Sequence, residues 1–169
     1  SQAVWDEDGV RDELQRQVAN AYGSDEGVFI IDDTSDAKKG EWTAGIQRQY
    51  CGESGKIENC IVSVHLVYAH RDFRALLDGD LFLPESWNSV PADPKVQHKR
   101  SRAGIPEGIE HASKLEIARR QVERALKNGI PGRWVTADEG YGDKRPWRES
   151  MGDLGLRYVV EVSPSQTSG

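Results

Sequence analysis

Two pairs of adjacent acidic residues are the part of this sequence best suited to chemistry. Asp32 and Asp33 follow the apolar run VFII at 28–31, and Asp138 and Glu139 follow the run WVTA at 134–137. Carboxylates that converge on one point repel each other unless a proton or a cation lies between them. Hard divalent cations such as Mg²⁺ accept carboxylate oxygens, and a pair of them can activate water and stabilise the leaving oxygen of a phosphodiester.

These acids also have an ordinary structural explanation. Aspartate is common in turns and helix caps, and the segment DTSD at 33–36 has the composition of such a turn. Spacing by itself therefore leaves both interpretations open, a metal site and a pair of turns.

Apolar runs and turn residues predict the elements that would position the acids. The run at 28–31 is rich in β-branched residues and predicts a strand covered on both faces, as in the middle of an α/β sheet. A capping box of Ser113 and Glu116 opens a predicted helix whose apolar stripe ends before Gly129. Further strands are predicted at 45–51, 60–69, 73–83, 134–137 and 157–162, and further helices at 10–22 and 144–155.

The order of these elements suggests where the acids meet. The strands up to residue 83 follow one another through short turns, which favours antiparallel pairing. If the strands at 28–31 and 134–137 are adjacent and parallel, both acidic pairs reach the carboxyl-end edge of one sheet, where open α/β sheets place their sites. Residues 84–108 contain four prolines and little apolar periodicity, so they predict a long surface connection.

Composition and charge limit the function classes. The chain has 169 residues, about one domain in length, with 37% hydrophobic and 30% charged residues. Its cysteines and histidines lack zinc-site spacings, and no apolar stretch approaches the roughly 18 residues that span a bilayer. The net charge is −6, yet residues 95–128 hold nine basic and four acidic side chains, so one face could still attract a polyanion.

Four ordered segments carry a resemblance to a known family. They are IDDTSDAKKG, RQYCGESGKIENCIVSVHLVYA, DLFLPESW and WVTADEGYG. In this order they resemble the catalytic core of bacterial insertion-sequence transposases of the DDE superfamily, over roughly residues 28–162. The resemblance implies an α/β, ribonuclease H-like fold. Its mixed five-stranded sheet, with three antiparallel strands followed by parallel ones, would be flanked by helices.

The same resemblance implies an activity and its cofactors. The family cleaves DNA at the ends of a mobile element and joins the freed end to a target, using Mg²⁺ or Mn²⁺, with two ions in the complete enzyme. It implies a core at residues 27–163, preceded by a helical lead-in at 1–26 and followed by a flexible tail at 164–169. DNA and further copies of the chain are the expected partners, no membrane is involved, and the bacterial cytoplasm near the nucleoid is the expected location.

Two family acids are carried over to this sequence. Asp33 precedes Thr34 and is the first choice for the first catalytic and metal-binding aspartate, with Asp32 as the alternative. Only one of the two should reach the ion, because neighbours in a strand point to opposite faces. Asp138 corresponds to the second aspartate. The third acid, a glutamate on a helix after the last strand, has no counterpart. The chain is therefore expected to be either a fragment of a longer transposase or a naturally truncated, inactive copy, and to be poorly active or inactive by itself.

Basic residues provide candidate contacts to the DNA backbone, although exposed cations often have no such role. These candidates are Lys38, Lys39, Arg48, Lys99, Arg100 and Arg102. Two other functions stay open: a DNA-binding remnant of a transposase without chemistry, and another ribonuclease H-like nuclease.

Overall fold

The predicted helices and strands all appear in the predicted order, and two further helices are added. The computed structural model describes residues 6–163, so the predicted tail at 164–169 and the first five residues of the lead-in lie outside the described residues. The strands are β1 (Val28–Ala37), β2 (Gln47–Cys51), β3 (Lys56–His70), β4 (Phe73–Leu81), β5 (Trp134–Ala137) and β6 (Arg157–Val160). The helices are α1 (Glu7–Tyr22), α2 (Pro94–Ala103), α3 (Lys114–Lys127), α4 (Glu139–Gly142) and α5 (Arg145–Asp153), with a 3₁₀ turn at Glu85–Trp87.

One mixed sheet contains all of these strands. The strand order is β2-β3-β1-β5-β6, and β4 also pairs with β3. β2 is antiparallel to β3, whereas β1, β5 and β6 run parallel to one another. This arrangement confirms the α/β class and the ribonuclease H-like fold. The sheet has six strands instead of the predicted five, because the 15-residue strand β3 is long enough to pair with both β2 and β4.

Contacts divide the chain into two units, which are described separately. Unit 1 comprises the described parts of 1–32, 65–79 and 118–169. Its core contains Phe29 and Tyr68, whose ring centroids lie 5.9 Å apart. The Tyr68 hydroxyl accepts a hydrogen bond from the Ser24 amide at 2.8 Å. Gly27 makes this approach possible, because a Cβ there would lie 2.1 Å from the same hydroxyl oxygen.

Unit 2 comprises residues 33–64 and 80–117 and is built around a buried tryptophan. Trp87 is 0% exposed, and its indole nitrogen donates to the Ile46 carbonyl at 2.9 Å. Ile46, Leu83 and Trp87 form one apolar cluster. Cys51 and Cys60 are free thiols in a second cluster with Val62.

The prediction of an irregular connection over residues 84–108 is wrong for its middle part. Residues 94–103 form helix α2, which begins with Pro94 directly after the N-cap residue Asp93. The Asp93 carboxylate accepts from the Lys95 amide at 2.7 Å, and Gly104 ends the helix in a left-handed conformation with φ 70°. These are standard helix boundaries, and the surrounding prolines concealed them. Among the residues described, no helix is long and apolar enough to cross a bilayer.

Candidate metal and nucleic-acid site

In unit 1, the paired strands β1 and β5 lead toward two aspartates. The two strands are parallel, and their register pairs Ile30 with Thr136. Two residues further on are Asp32, still within β1, and Asp138, one residue past the end of β5. Residues two apart along a strand project to the same face, so Asp32 lies on the face of Ile30, and Asp138 directly follows the strand in which the partner of Ile30 lies. Both residues are exposed, in contrast to their buried predecessors on the opposite face.

Glycines shape the surroundings of Asp138. This residue is the N-cap of α4, and its carbonyl accepts from the amides of Tyr141 at 3.2 Å and Gly142 at 2.8 Å. Its side chain makes no capping hydrogen bond to the helix. A Cβ at Gly140 would lie 3.1 Å from the Asp138 Oδ1, so glycine there leaves room beside the carboxylate. At Gly142 a Cβ would lie 1.8 Å from the Glu161 carbonyl oxygen, which explains the second glycine of the GYG segment.

In unit 2, Asp33 is paired with a lysine. The Asp33 Oδ2 accepts a hydrogen bond from the Lys114 Nζ at 2.7 Å, with side-chain exposures of 21% and 38%. Lys114 is the first residue of α3, where the predicted capping box is confirmed: the Glu116 amide donates to Ser113 Oγ, and the Ser113 amide donates to Glu116 Oε2. Sequence reasoning missed Lys114, because the capping box predicts the start of the helix but not a side-chain contact to a residue 81 positions earlier.

The donor set in unit 1 fits a magnesium-type cation. Mg²⁺ in proteins commonly binds one or two carboxylates and completes its octahedron with water and substrate phosphate oxygens. Asp32 and Asp138 supply two hard oxygen donors of this kind. Within residues 6–163 there is no cluster of three or more acidic, histidine or cysteine side chains suited to a metal. Glu149, on α5, is engaged in an ion pair with Arg145 at 2.8 Å.

Most of the predicted DNA contacts lie at the surface. Lys38 is ion-paired with Asp36, and Lys39 and Arg48 are exposed. The Arg102 guanidinium lies 4.4 Å from the centroid of the Trp42 ring.

Lys99 and Arg100 are the less exposed members of the basic segment. The Lys99 ammonium lies 3.9 Å over the Trp87 ring, and burial lowers its pKa despite the nearby carboxylate of Glu41. Arg100 is only 6% exposed and donates hydrogen bonds to the carbonyl oxygens of Trp87 and Ile109. Arg100 therefore anchors the interior of unit 2, and its buried position conflicts with the predicted phosphate contact.

Comparison with known proteins supports the resemblance seen in the sequence. Residues 1–168 match the family described as DDE superfamily endonuclease. The chain is 29% identical over 138 residues to the probable transposase for insertion sequence element IS701 of Microchaete diplosiphon, covering 80% of this chain and 31% of that protein. It thus spans about a third of the length of this relative. The Drosophila P element transposase strand transfer complex aligns with 88% of this chain and 29% of its own, with 10% identity and a TM-score of 0.36.

Proposed function

This chain belongs to the DDE superfamily endonucleases, and we propose that it forms the acidic core of a transposase that cuts and joins DNA by metal-dependent phosphodiester chemistry. The observation that carries the proposal is the β1–β5 register: Asp32 lies two residues after Ile30, and Asp138 lies two residues after its partner Thr136. A divalent cation between two carboxylates relieves their mutual repulsion, and a DNA phosphate can share that cation.

Asp32 and Asp138 would hold the ion, Mg²⁺ or Mn²⁺, and a second ion would join in the complete enzyme. The bound ion supplies Lewis-acid chemistry, by which it makes water more acidic and stabilises charge on the phosphodiester. Asp32 is held within β1, and Asp138 is held between the end of β5 and the first turn of α4. Gly140 keeps the space beside Asp138 open.

The structure supports Asp32 over Asp33 as the first ligand. The sequence favoured Asp33, with Asp32 as the alternative, and strand alternation allows only one of them to face the ion. Asp32 shares a face of β1 with Ile30, whose partner Thr136 lies two residues before Asp138, whereas the Asp33 carboxylate accepts a hydrogen bond from Lys114. We therefore assign Asp33 the role of anchoring Lys114 and assign the metal to Asp32.

DNA is the proposed partner, held through its backbone. Lys39, Arg48, Lys99 and Arg102 are the proposed phosphate contacts; such contacts position a duplex and do not read its sequence. Lys38 is a weaker candidate because it is ion-paired with Asp36. Transposition joins two element ends, so we also propose a homo-oligomer acting at the bacterial nucleoid.

Calorimetric titration with Mn²⁺, beside Mg²⁺-dependent nicking of supercoiled plasmid, tests the metal assignment. Asp32→Asn and Asp138→Asn should each weaken metal binding at least tenfold and abolish whatever nicking the unaltered chain shows. Asp33→Asn should weaken metal binding much less. Glu139→Gln is the matched control, because it removes an exposed carboxylate next to Asp138.

Two results would contradict the assignment. Loss of metal binding in Asp33→Asn with retention in Asp32→Asn would restore the choice that the sequence favoured. Unchanged metal affinity in all four variants would show that none of these carboxylates binds the ion.

A DNA-binding role without chemistry is the second candidate. The observation in its favour is that no cluster of three metal-ligating side chains exists within the described residues. Salt-dependent DNA binding that is indifferent to Asp32→Asn and Asp138→Asn, with no metal binding, would support it. Cleavage of RNA–DNA hybrids in preference to element ends would instead indicate another ribonuclease H-like nuclease.

A further inference from the structure

A groove of about 660 Å³ lies entirely within unit 2, apart from the aspartates assigned to the metal. Its walls come from the segment before β2, from β2 and β3, from the 3₁₀ turn and from the first half of α2. The side chains that give it chemical character are Trp42, Arg48, Asn59, Lys95, His98 and Lys99. None of these side chains takes part in the proposed metal site, so that site does not explain the groove.

The groove carries positive charge on a chain whose net charge is −6. Arg48, Lys95 and Lys99 line it, against the single carboxylate of Glu41. Arg48 and Lys95 are exposed, so their charges face solvent rather than the protein interior. Such a lining attracts an anion, and its partial enclosure strengthens the attraction relative to a flat surface.

One wall of the groove is an exposed aromatic ring held in place by its neighbours. Trp42 is 44% exposed. The His98 ring meets it edge-on, with centroids 5.8 Å apart at 87°, and the Arg102 guanidinium lies 4.4 Å from its centroid. These contacts orient the indole without burying it. A large aromatic surface that is fixed yet exposed is suited to stacking against a planar ligand.

The β2–β3 hairpin extends this surface beyond the groove. Arg48 and Asn59 are register partners, and both line the groove. The next partners on the same face are Tyr50 and Ile57, which are 65% and 61% exposed. A guanidinium, an amide and a second aromatic ring therefore follow one another along the same face as the groove.

We propose that this groove binds single-stranded DNA, with an unpaired base stacked on Trp42 and the adjoining phosphates on Arg48 and Lys95. A base can stack on the Trp42 indole only after it has left the stack of its neighbouring bases. An intact duplex therefore cannot make this contact. The volume suits a ligand of nucleotide size, since pockets for such molecules measure roughly 300–1,000 Å³. DNA as the nucleic acid rests on the proposed function; the preference for an unpaired strand rests on the groove.

Fluorescence anisotropy with a labelled oligothymidylate of about 15 nucleotides, beside a duplex of equal length, tests the proposal. Trp42→Ala should weaken binding of the single strand about 5- to 150-fold, the range expected when one stacked base is lost. Its affinity for the duplex should change less than about threefold, and Trp42→Phe should retain most single-strand binding because phenylalanine also stacks. Arg48→Ala should weaken single-strand binding and lower its salt dependence by about one phosphate contact.

Matched controls separate this site from general effects. Trp134→Ala removes another exposed tryptophan, 37% exposed and covered by Arg157, in unit 1. Arg145→Ala removes an arginine that is 80% exposed, also in unit 1. Both should bind the single strand as the unaltered chain does. Circular dichroism and thermal unfolding verify that every variant is folded, and Trp42→Ala should be, because Trp42 lies outside the core.

Several outcomes would overturn the groove assignment. The first is an equal loss of single-strand affinity in Trp42→Ala and Trp134→Ala. The second is a loss of duplex affinity in Trp42→Ala as large as its loss of single-strand affinity. The third is the absence of single-strand binding by the unaltered chain. None of them bears on the metal assignment, because calorimetry with Mn²⁺ measures Asp32 and Asp138 without DNA. Conversely, intact single-strand binding with no metal binding would leave the groove standing and refute the proposed chemistry.

Discussion

Replacing Arg100 with alanine should destabilise the protein and leave its affinity for DNA unchanged. Arg100 lies between Lys99 and Arg102 in a basic segment that suggests phosphate contacts, yet its side chain is only 7% exposed. Its two terminal nitrogens donate to the carbonyl oxygens of Trp87 and Ile109. The guanidinium therefore joins α2 to the 3₁₀ turn and to the segment before α3.

The size of the effect follows from these two hydrogen bonds. The bond to the Trp87 carbonyl is buried and has a charged donor, which gives about 1.5–3 kcal/mol. The bond to the Ile109 carbonyl is partly buried, where water can replace the donor, so it contributes about 0.5–1.5 kcal/mol. Together they amount to about 3 kcal/mol, which corresponds to a fall in Tm of roughly 6–12 °C for a chain of this length.

Thermal unfolding and duplex DNA binding, measured on the same samples, check this prediction. Arg102→Ala is the control, because its guanidinium stacks on the exposed ring of Trp42. That contact is worth about 0.5–1 kcal/mol, so Tm should fall by at most a few degrees while DNA affinity falls. Arg100→Lys should be intermediate in stability, since an ammonium keeps the charge but cannot span both carbonyls. An Arg100→Ala variant with unchanged Tm and weakened DNA binding would refute the reasoning.

Two further predictions concern unit 1. Gly142→Ala should lower the free energy of unfolding by about 1–3 kcal/mol, because the added Cβ would overlap the Glu161 carbonyl. Gly152→Ala is the control and should be neutral or stabilising, because no atom lies within 4 Å of the added Cβ. Urea unfolding compares the two variants, and equal midpoints would contradict the close approach at Gly142. The Asn128 amide, and after it the Arg124 guanidinium, lower the pKa of Asp12 below its usual 3.8. The stability that this carboxylate contributes is therefore fully present above pH 3.8 and is lost as the pH falls through the lowered pKa of the folded protein. Asp12→Asn should flatten the decline in stability with acid, measured by unfolding at a series of pH values, and an unchanged decline would show that Asp12 plays no part.

Much of the fold followed from patterns that are local in sequence. The apolar run at 28–31 predicted a strand of the α/β sheet, and β1 contains it. The capping box at Ser113 and Glu116 predicted the start of α3, since both partners lie within one helical turn. Such signals are reliable because the interactions that they specify form between near neighbours in the chain.

The basic segment shows where local patterns were insufficient. The sequence presents Lys99, Arg100 and Arg102 as one cluster of similar cations. Helix α2 turns by about 100° at each residue, so these side chains leave the helix in different directions. Lys99 reaches the Trp87 ring, Arg100 enters the interior and Arg102 meets Trp42. Which cation is available to a phosphate depends on what packs against each side of the helix.

The sequence by itself determined that acidic pairs follow two apolar strand segments and that Asp32 and Asp33, as neighbours in a strand, point to opposite faces. The choice between them depends on which residues of β1 lie beside those of β5, more than a hundred positions along the chain. That register exists only once the hydrogen-bonded ladder has formed, and a shift of one residue would exchange the two faces. The proposal of Asp32 rests on this register, and the tertiary structure places a lysine on the carboxylate of Asp33.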